Sequence, residues 1–218
     1  PEKQTTTHRY YYENGWFSYS DAIFLYCFLR HHKPKRIIEI GSGFSSAVML
    51  DTIDGFFSKR PEVTFIEPYP DRLLSLLREG DRERVRLIDQ KIQDVPLDIF
   101  FSLESGDLLF IDSSHVVKCG SDLQLLMFEI LPRLRPGVFV HFHDVFYPFD
   151  YPSDWLIEGR YWNENYFLRA FLSYNSEWSI RFFNTYAHFK FGDLIGEKMP
   201  LCAKNPGGSL YIQRDRRS

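Results

Sequence analysis

The 218-residue chain has no apolar run approaching the ~20 residues a bilayer-spanning helix needs, so a helical membrane protein is not expected. It has three cysteines, Cys27, Cys119 and Cys202, widely spaced and odd in number. They match neither a zinc pattern nor a disulfide framework and point to a reducing, cytoplasmic compartment. Charge of one sign is also lacking: 26 Lys and Arg face 29 Asp and Glu, for a formal net charge of −3. Without a basic field, nucleic acid and membrane surfaces are not expected partners. No stretch reads as a secretory leader, a repeat or a linker. One α/β-sized domain over 1–218 is the simplest count, and it can bury a substantial core.

Aromatic residues are plentiful, at 17% with 21 Phe and 13 Tyr. They gather in two places, Tyr10 to Phe17 and the prolyl stretch 145–162. The second is too long and too aromatic for a plain connection and reads as a loop over a site. The first belongs to an N-terminal segment, 1–35, that ends in a helix from Ser20-Asp21 and could act as a lid or support a homodimer.

Organisation centres on Arg36 to Leu50, where an Ile-rich strand meets Gly41-Ser42-Gly43 and a helix begins at Phe44. Strand, glycine turn and helix present backbone N–H groups and a helix N-terminus to a ligand. A dinucleotide fingerprint needs a third glycine, and Ser46 stands in its place. Glu39, two residues before the first glycine, would repel a pyrophosphate at the strand mouth. It favours a cationic end, such as the amino group of S-adenosylmethionine (SAM).

Strands and helices alternate from residue 36 to 183, which calls for a parallel, doubly wound sheet. The second strand, from Val63, ends in Glu67, an acid that can accept both hydroxyls of a ribose. A fourth strand, Gly106 to Asp112, and a fifth, Val138 to Asp144, end in Asp112 and in His143-Asp144. Adjacent parallel strands lie ~4.8 Å apart, so these tips could converge on one ion or substrate. Asp112 and Asp144, with His143 as nitrogen donor, suit magnesium or manganese better than a soft ion. Because successive strand residues face opposite sides, Asp144 is the favoured ligand of the pair unless the strand has already ended. His115, three residues past Asp112, is an imidazole able to take the proton of an acceptor hydroxyl. A long polar loop with Gly192, Gly196 and Pro200 separates two last strands, Trp178 to Phe183 and Ser209 to Ile212.

Ile-Glu-Ile-Gly-Ser-Gly-x-Ser, Leu-Phe-Ile-Asp-x-x-His and the later His-Asp together resemble class I SAM-dependent methyltransferases. The likeness is to the family that includes cephalosporin-hydroxylase-like proteins and macrolide-sugar O-methyltransferases. It implies a Rossmann-like sheet of seven strands, mostly parallel with an antiparallel last strand. Carried over, Glu39, Gly41, Ser42 and Gly43 hold the methionine part, Glu67 the ribose, and Gln93 and Asp94 the adenine; Asp112 adjoins the cofactor. Asp112, His143 and Asp144 are the metal positions and His115 the base, with His143 where relatives carry an acid. The resemblance therefore implies O-methylation of a small hydroxylated acceptor, a sugar or natural product. A SAM-binding module without transferase activity is the alternative, and an NAD-dependent oxidoreductase, which shares only Glu67, comes third.

Overall fold

Short runs of Ile, Val, Leu and Phe become the strands of one seven-stranded sheet in this structure, a computed structural model that describes residues 1–215. The strands are β1 Arg36–Ile40, β2 Glu62–Ile66, β3 Arg86–Ile88, β4 Leu108–Ile111, β5 Phe139–His143, β6 Trp178–Phe183 and β7 Ser209–Arg214. Their order is β3-β2-β1-β4-β5-β7-β6, with β1 to β5 parallel and β7 antiparallel to both its neighbours. This is the mixed sheet that the resemblance implied.

Register places the site. Ile40 pairs with Ile111, and Ile111 with Phe142, so the next residues along, Gly41, Asp112 and His143, come side by side at the carboxyl edge. In an open parallel sheet that edge, near the point where strand order reverses, is where ligands bind.

The central strands β1, β4 and β5 bury both faces, as a parallel sheet covered by helices must. Ile38, Ile40, Leu109, Ile111, Val140 and Phe142 pack on one side against Leu123, Leu126 and Leu131. Ile37, Phe65, Leu108, Phe110 and Phe139 pack on the other against helices α1 Tyr19–His32 and α2 Phe44–Phe56. Alternation assigns Glu39, His141 and His143 to this second face.

Three local readings are corrected. Ser18, not Ser20-Asp21, occupies the start of α1, and Asp21 lies inside its first turn, buried. The segment read as a polar loop between the last strands is largely helical, Asn184–Lys198, interrupted at Phe191 (φ −131°, ψ 29°). Gly192 follows that interruption and Gly196 lies within the second part of the helix. The helix expected over Leu123 to Leu134 changes pitch after Leu125, passing through a wide turn and a 3₁₀ turn at Leu131–Arg133. Pro132, which lacks an N–H, is there.

The N-terminal segment is fastened rather than loose. Arg9 is buried and meets Asp51 and Asp54 of α2 at 2.8 Å each, and Asp81 at 2.6 and 2.7 Å. Tyr10 and Phe17 then enter the core, while Trp16 stays exposed. Burial acts to raise Asp81, but the Arg9 guanidinium and the Arg78 N–H outweigh it and hold the carboxyl below its ordinary range. That contribution is present above the ordinary carboxylate pKa and is lost as acid protonates the folded form.

Replacing Arg9 leaves Asp81 buried and unpaired. Arg9→Ala should lower unfolding stability by about 3–5 kcal/mol in urea titration at pH 7. A loss under about 1 kcal/mol, the usual range for a surface pair, would refute the anchoring role.

Candidate functional site

Gly41 makes the close approach on which the site is built. Its φ is +78°, and a Cβ there would sit 1.8 Å from the Asp112 carbonyl oxygen. Its N–H donates to the Ile66 carbonyl, while the Asp112 N–H donates to the Ile40 carbonyl at 2.8 Å. The turn is thereby bonded to both neighbouring strands. Ser42 N–H donates to Glu67 Oε2 at 3.1 Å and Tyr69 N–H to Oε1 at 2.8 Å, so Glu67 is aimed back across the turn. Each carboxylate oxygen keeps a lone pair for a ligand hydroxyl.

A cavity of about 720 Å³ opens over this edge. Its walls bring together Gly41, Ser42, Gly43, Glu67, Asp112, His115, His143 and Asp144 of the sequence-predicted set. Gln93 lines an adjoining cleft that also touches Gly41, Glu67 and Asp112, and its amide donates to the Gly120 carbonyl. Asp94 lines neither space and stays exposed at the end of the 3₁₀ turn Ile92–Asp94.

Glu39 departs from its expected place. Strand alternation turns it toward α2, where it is fully buried. Ser45 Oγ, at 2.5 Å, and Ser46 Oγ bond its two carboxylate oxygens. Burial, opposed by those serines, pushes its pKa up to about 8. Glu39 therefore braces the turn from beneath and presents no charge to the cavity, which carries its acids on Glu67, Asp112, Asp144 and Asp21 instead.

The strand-alternation difficulty at His143 and Asp144 is resolved by backbone geometry. β5 ends at His143, and Asp144 adopts a left-handed conformation (φ +58°) that turns its carboxylate to the same side. Donor atoms of Asp112, His143 and Asp144 all lie within 4.8 Å of one another. His143 Nδ1 faces Asp112 Oδ1 at 3.4 Å without the geometry of a hydrogen bond. Two carboxylates and an imidazole with a spare nitrogen fit a hard divalent cation.

His115 is buried, also left-handed (φ +59°), and bonded through Nδ1 to Glu164 Oε2 at 2.7 Å. Its Nε2 faces Asp112 Oδ1 at 3.4 Å and Asp144 Oδ2 at 3.7 Å, and its ring lies on Trp162. Burial favours the neutral ring, but Asp112 and Glu164 outweigh it and raise the pKa to about 10. His143 is likewise raised, against burial, by Asp144, Asp112 and Asp21. Asp112 is held well below its ordinary value, against burial, by the two histidines.

Sequence reasoning missed Asp21 and Glu164. Asp21 Oδ1 accepts from Asn184 Nδ2, the Gly208 N–H and Ser209 Oγ, while Oδ2 stands 3.7 Å from His143 Nε2. A side chain at Gly207 (φ +69°) would meet Asp21 at 2.4 Å, so the Gly207-Gly208 pair was the available signal. Glu164 looks like any acid opening a helix, here Glu164–Ser173, and nothing local marks it. The aromatic stretch does face the cavity, through Phe146, Trp155, Arg160 and Trp162.

Residues 38–145 match the methyltransferase domain family. An uncharacterized protein of Archaeoglobus fulgidus is 43% identical over 99 residues, 44% of this chain and 43% of that protein; the match thus spans less than half of the relative's length. Among solved structures, the O-methyltransferase TomG from Streptomyces achromogenes, involved in tomaymycin synthesis and bound to SAM, matches with a TM-score of 0.57. It is 17% identical and covers 89% of this chain and 79% of its own. An SAH-bound methyltransferase from Podospora anserina matches with a TM-score of 0.53 at 19% identity, covering 89% and 78%. The fold is that of class I methyltransferases, as the sequence resemblance implied.

The buried Glu39 gives a pH test. Its folded pKa lies above its unfolded one, so the folded state keeps a proton that the unfolded chain releases, and stability falls as pH rises between the two. Relative to Glu39→Gln, wild type should lose up to about 1.4 kcal/mol per pH unit between pH 5 and 8. Parallel stability curves for the two proteins would show the carboxyl to be ionised throughout.

Proposed function

We propose, from the methyltransferase domain family to which residues 38–145 belong, that the chain transfers the methyl group of SAM to an oxygen of a small hydroxylated acceptor, such as a sugar or another natural product. One observation carries this reading: a single cavity joins the Gly41-Ser42-Gly43 turn and Glu67 to the Asp112, His115, Asp144 cluster. Its volume of about 720 Å³ is within the range of sites for molecules of this size.

The turn and Glu67 hold the amino-acid and ribose parts of SAM, with Gln93 toward the adenine. Asp94 has no part in the cavity as it stands. The acceptor hydroxyl enters between His115 Nε2 and Asp144. Its proton passes to Nε2, the oxygen bonds the methyl carbon, and the S–C electron pair remains on sulfur. Glu164 fixes the ring through Nδ1 and stabilises the imidazolium that forms. His115 can accept a proton only after it has lost the one that Asp112 and Asp144 hold there. A cation held by Asp112 and Asp144 would weaken their hold on that proton and leave Glu164 as the ring's carboxylate partner.

Asp112, His143 and Asp144 would hold magnesium or manganese. Such an ion would acidify a bound hydroxyl and fix its direction. The rival reading, SAM binding without transfer, is favoured by the proton that His115 carries in this arrangement. Detection of any methylated product removes it. We further place the protein in the cytoplasm, on its free cysteines, without nucleic acid or membrane partners; among the described residues no helix is long and apolar enough to cross a membrane. A homodimer is left to light scattering.

Calorimetry should show SAM binding and no binding of NAD; the reverse would overturn the transferase reading. On an acceptor found by SAH release, His115→Ala should lower kcat by about 10²–10⁴-fold with the Kd for SAM unchanged. Full turnover in that variant would eliminate the base. Chelation with EDTA should abolish turnover and added magnesium or manganese restore it; unaltered turnover would reduce the cluster to substrate binding.

A further inference from the structure

The cavity wall is rich in carboxylates and has two guanidinium groups, Arg72 and Arg160. Arg160 already pairs with Glu158 at 3.0 Å and lies over Trp155. Arg72 makes no ion pair among the described residues. It follows Asp71 at the start of helix α3, Asp71–Leu76, on the loop that leaves Glu67. Its stem crosses the glycine turn, since a methyl group at Gly43 would stand 3.1 Å from Arg72 Cδ. Trp16 of the N-terminal segment stacks on its far side, with the guanidinium carbon 3.6 Å from the ring centroid. An exposed arginine spends its rotamer freedom to stay in one place, and a stacked indole is what holds it there.

Cofactor chemistry supplies the missing partner. SAM carries three charges near the turn: sulfonium, ammonium and carboxylate. Glu67, Asp112, Asp144 and Asp21 suit the first two and repel the third. Glu39, turned inward, takes no part in this balance. Arg72 is the lining cation over the turn that has no carboxylate of its own, and it lies near the N-terminus of the 13-residue α2, where the helix dipole also favours an anion.

We propose that Arg72, seated on Trp16 across the Gly41 to Gly43 turn, receives the α-carboxylate of the SAM methionine and sets the preference for an amino-acid end. This rests on the SAM reading above. Trp16 is a positioning residue, acting through the arginine. The Trp16 N–H donates to Asn14 Oδ1 at 2.9 Å, which holds its backbone in place.

The test compares SAM with decarboxylated SAM, which keeps the sulfonium, the ammonium and the adenosine and lacks only the carboxylate. Calorimetry on the wild-type protein should show SAM binding about 10- to 100-fold tighter, the range for a charge-assisted hydrogen-bonded pair. Arg72→Gln should lose that preference by weakening SAM alone, and Arg72→Lys should keep part of it. Trp16→Ala should weaken SAM by about two- to five-fold and leave the decarboxylated compound unchanged. Thermal melts of the variants should match wild type, because both side chains are exposed. Equal binding of the two compounds to the wild-type protein overturns the assignment while leaving the SAM reading intact, as does a preference that survives in Arg72→Gln. Failure of SAM itself to bind overturns both.

Discussion

The contact between Gly41 and the Asp112 carbonyl governs the rest of the molecule's chemistry. Two neighbouring parallel strands end in step, and the first must turn away without a side chain to let the second pass. That one approach seats the helix α2 N-terminus over the sheet edge and points the Asp112 carboxylate toward β5. It also lets Glu67 reach back to the Ser42 N–H. A chain with any other residue at 41 would have to separate β1 from β4 there, and the three polar strand ends would no longer share a cavity.

Around this point the protein gathers buried and half-buried ionisable groups. Asp21, His143, Asp112, Asp144, His115 and Glu164 form a connected series in which each histidine stands among carboxylates. Burial alone would drive Asp112, His115 and His143 toward their neutral forms. Together they hold charge, as the opposite displacements of Asp112 and the two histidines show. Such arrangements cost stability and are found where function needs them. The series also ties distant elements to the site: Asp21 brings in α1 and the Gly207-Gly208 turn, and Glu164 brings in the helix that follows the aromatic stretch.

What could be read from the sequence were features whose period or chemistry is local. The strand ends, the glycine turn and the acids Glu67, Asp112 and Asp144 are written in consecutive residues. The apparent conflict over His143 and Asp144 came from assuming that β5 continued; a single left-handed residue ends it, and an aspartate tolerates that conformation better than most side chains. Asp21 and Glu164 were invisible because their importance comes from partners more than 40 residues away. Each looked like an ordinary first-turn acid. The helix at Asn184–Lys198 was hidden by two glycines, of which only Gly192 adjoins a break, at Phe191.

Glu39 is the instructive case, because the motif was read correctly and its physics was not. An acid before a glycine turn appears to offer charge to a ligand. Period-2 alternation instead places its side chain on the α2 face, and Ser45 and Ser46 close over it. Its work is then mechanical: it fixes the first turn of α2 against β1 and so fixes the glycines. On the SAM reading, attraction of a cationic ligand falls to the acids that do face the cavity, at the carboxyl ends of β2, β4 and β5 and on α1. Spread over four elements, that charge follows the length of an extended ligand, whereas one acid at the strand mouth would address only one end. A pyrophosphate laid across the same turn would meet Glu67 and Asp112 together with Arg72 alone to offset them, since Arg160 is already paired with Glu158. A sulfonium amino acid held as proposed would meet opposite charge at both its positive centres.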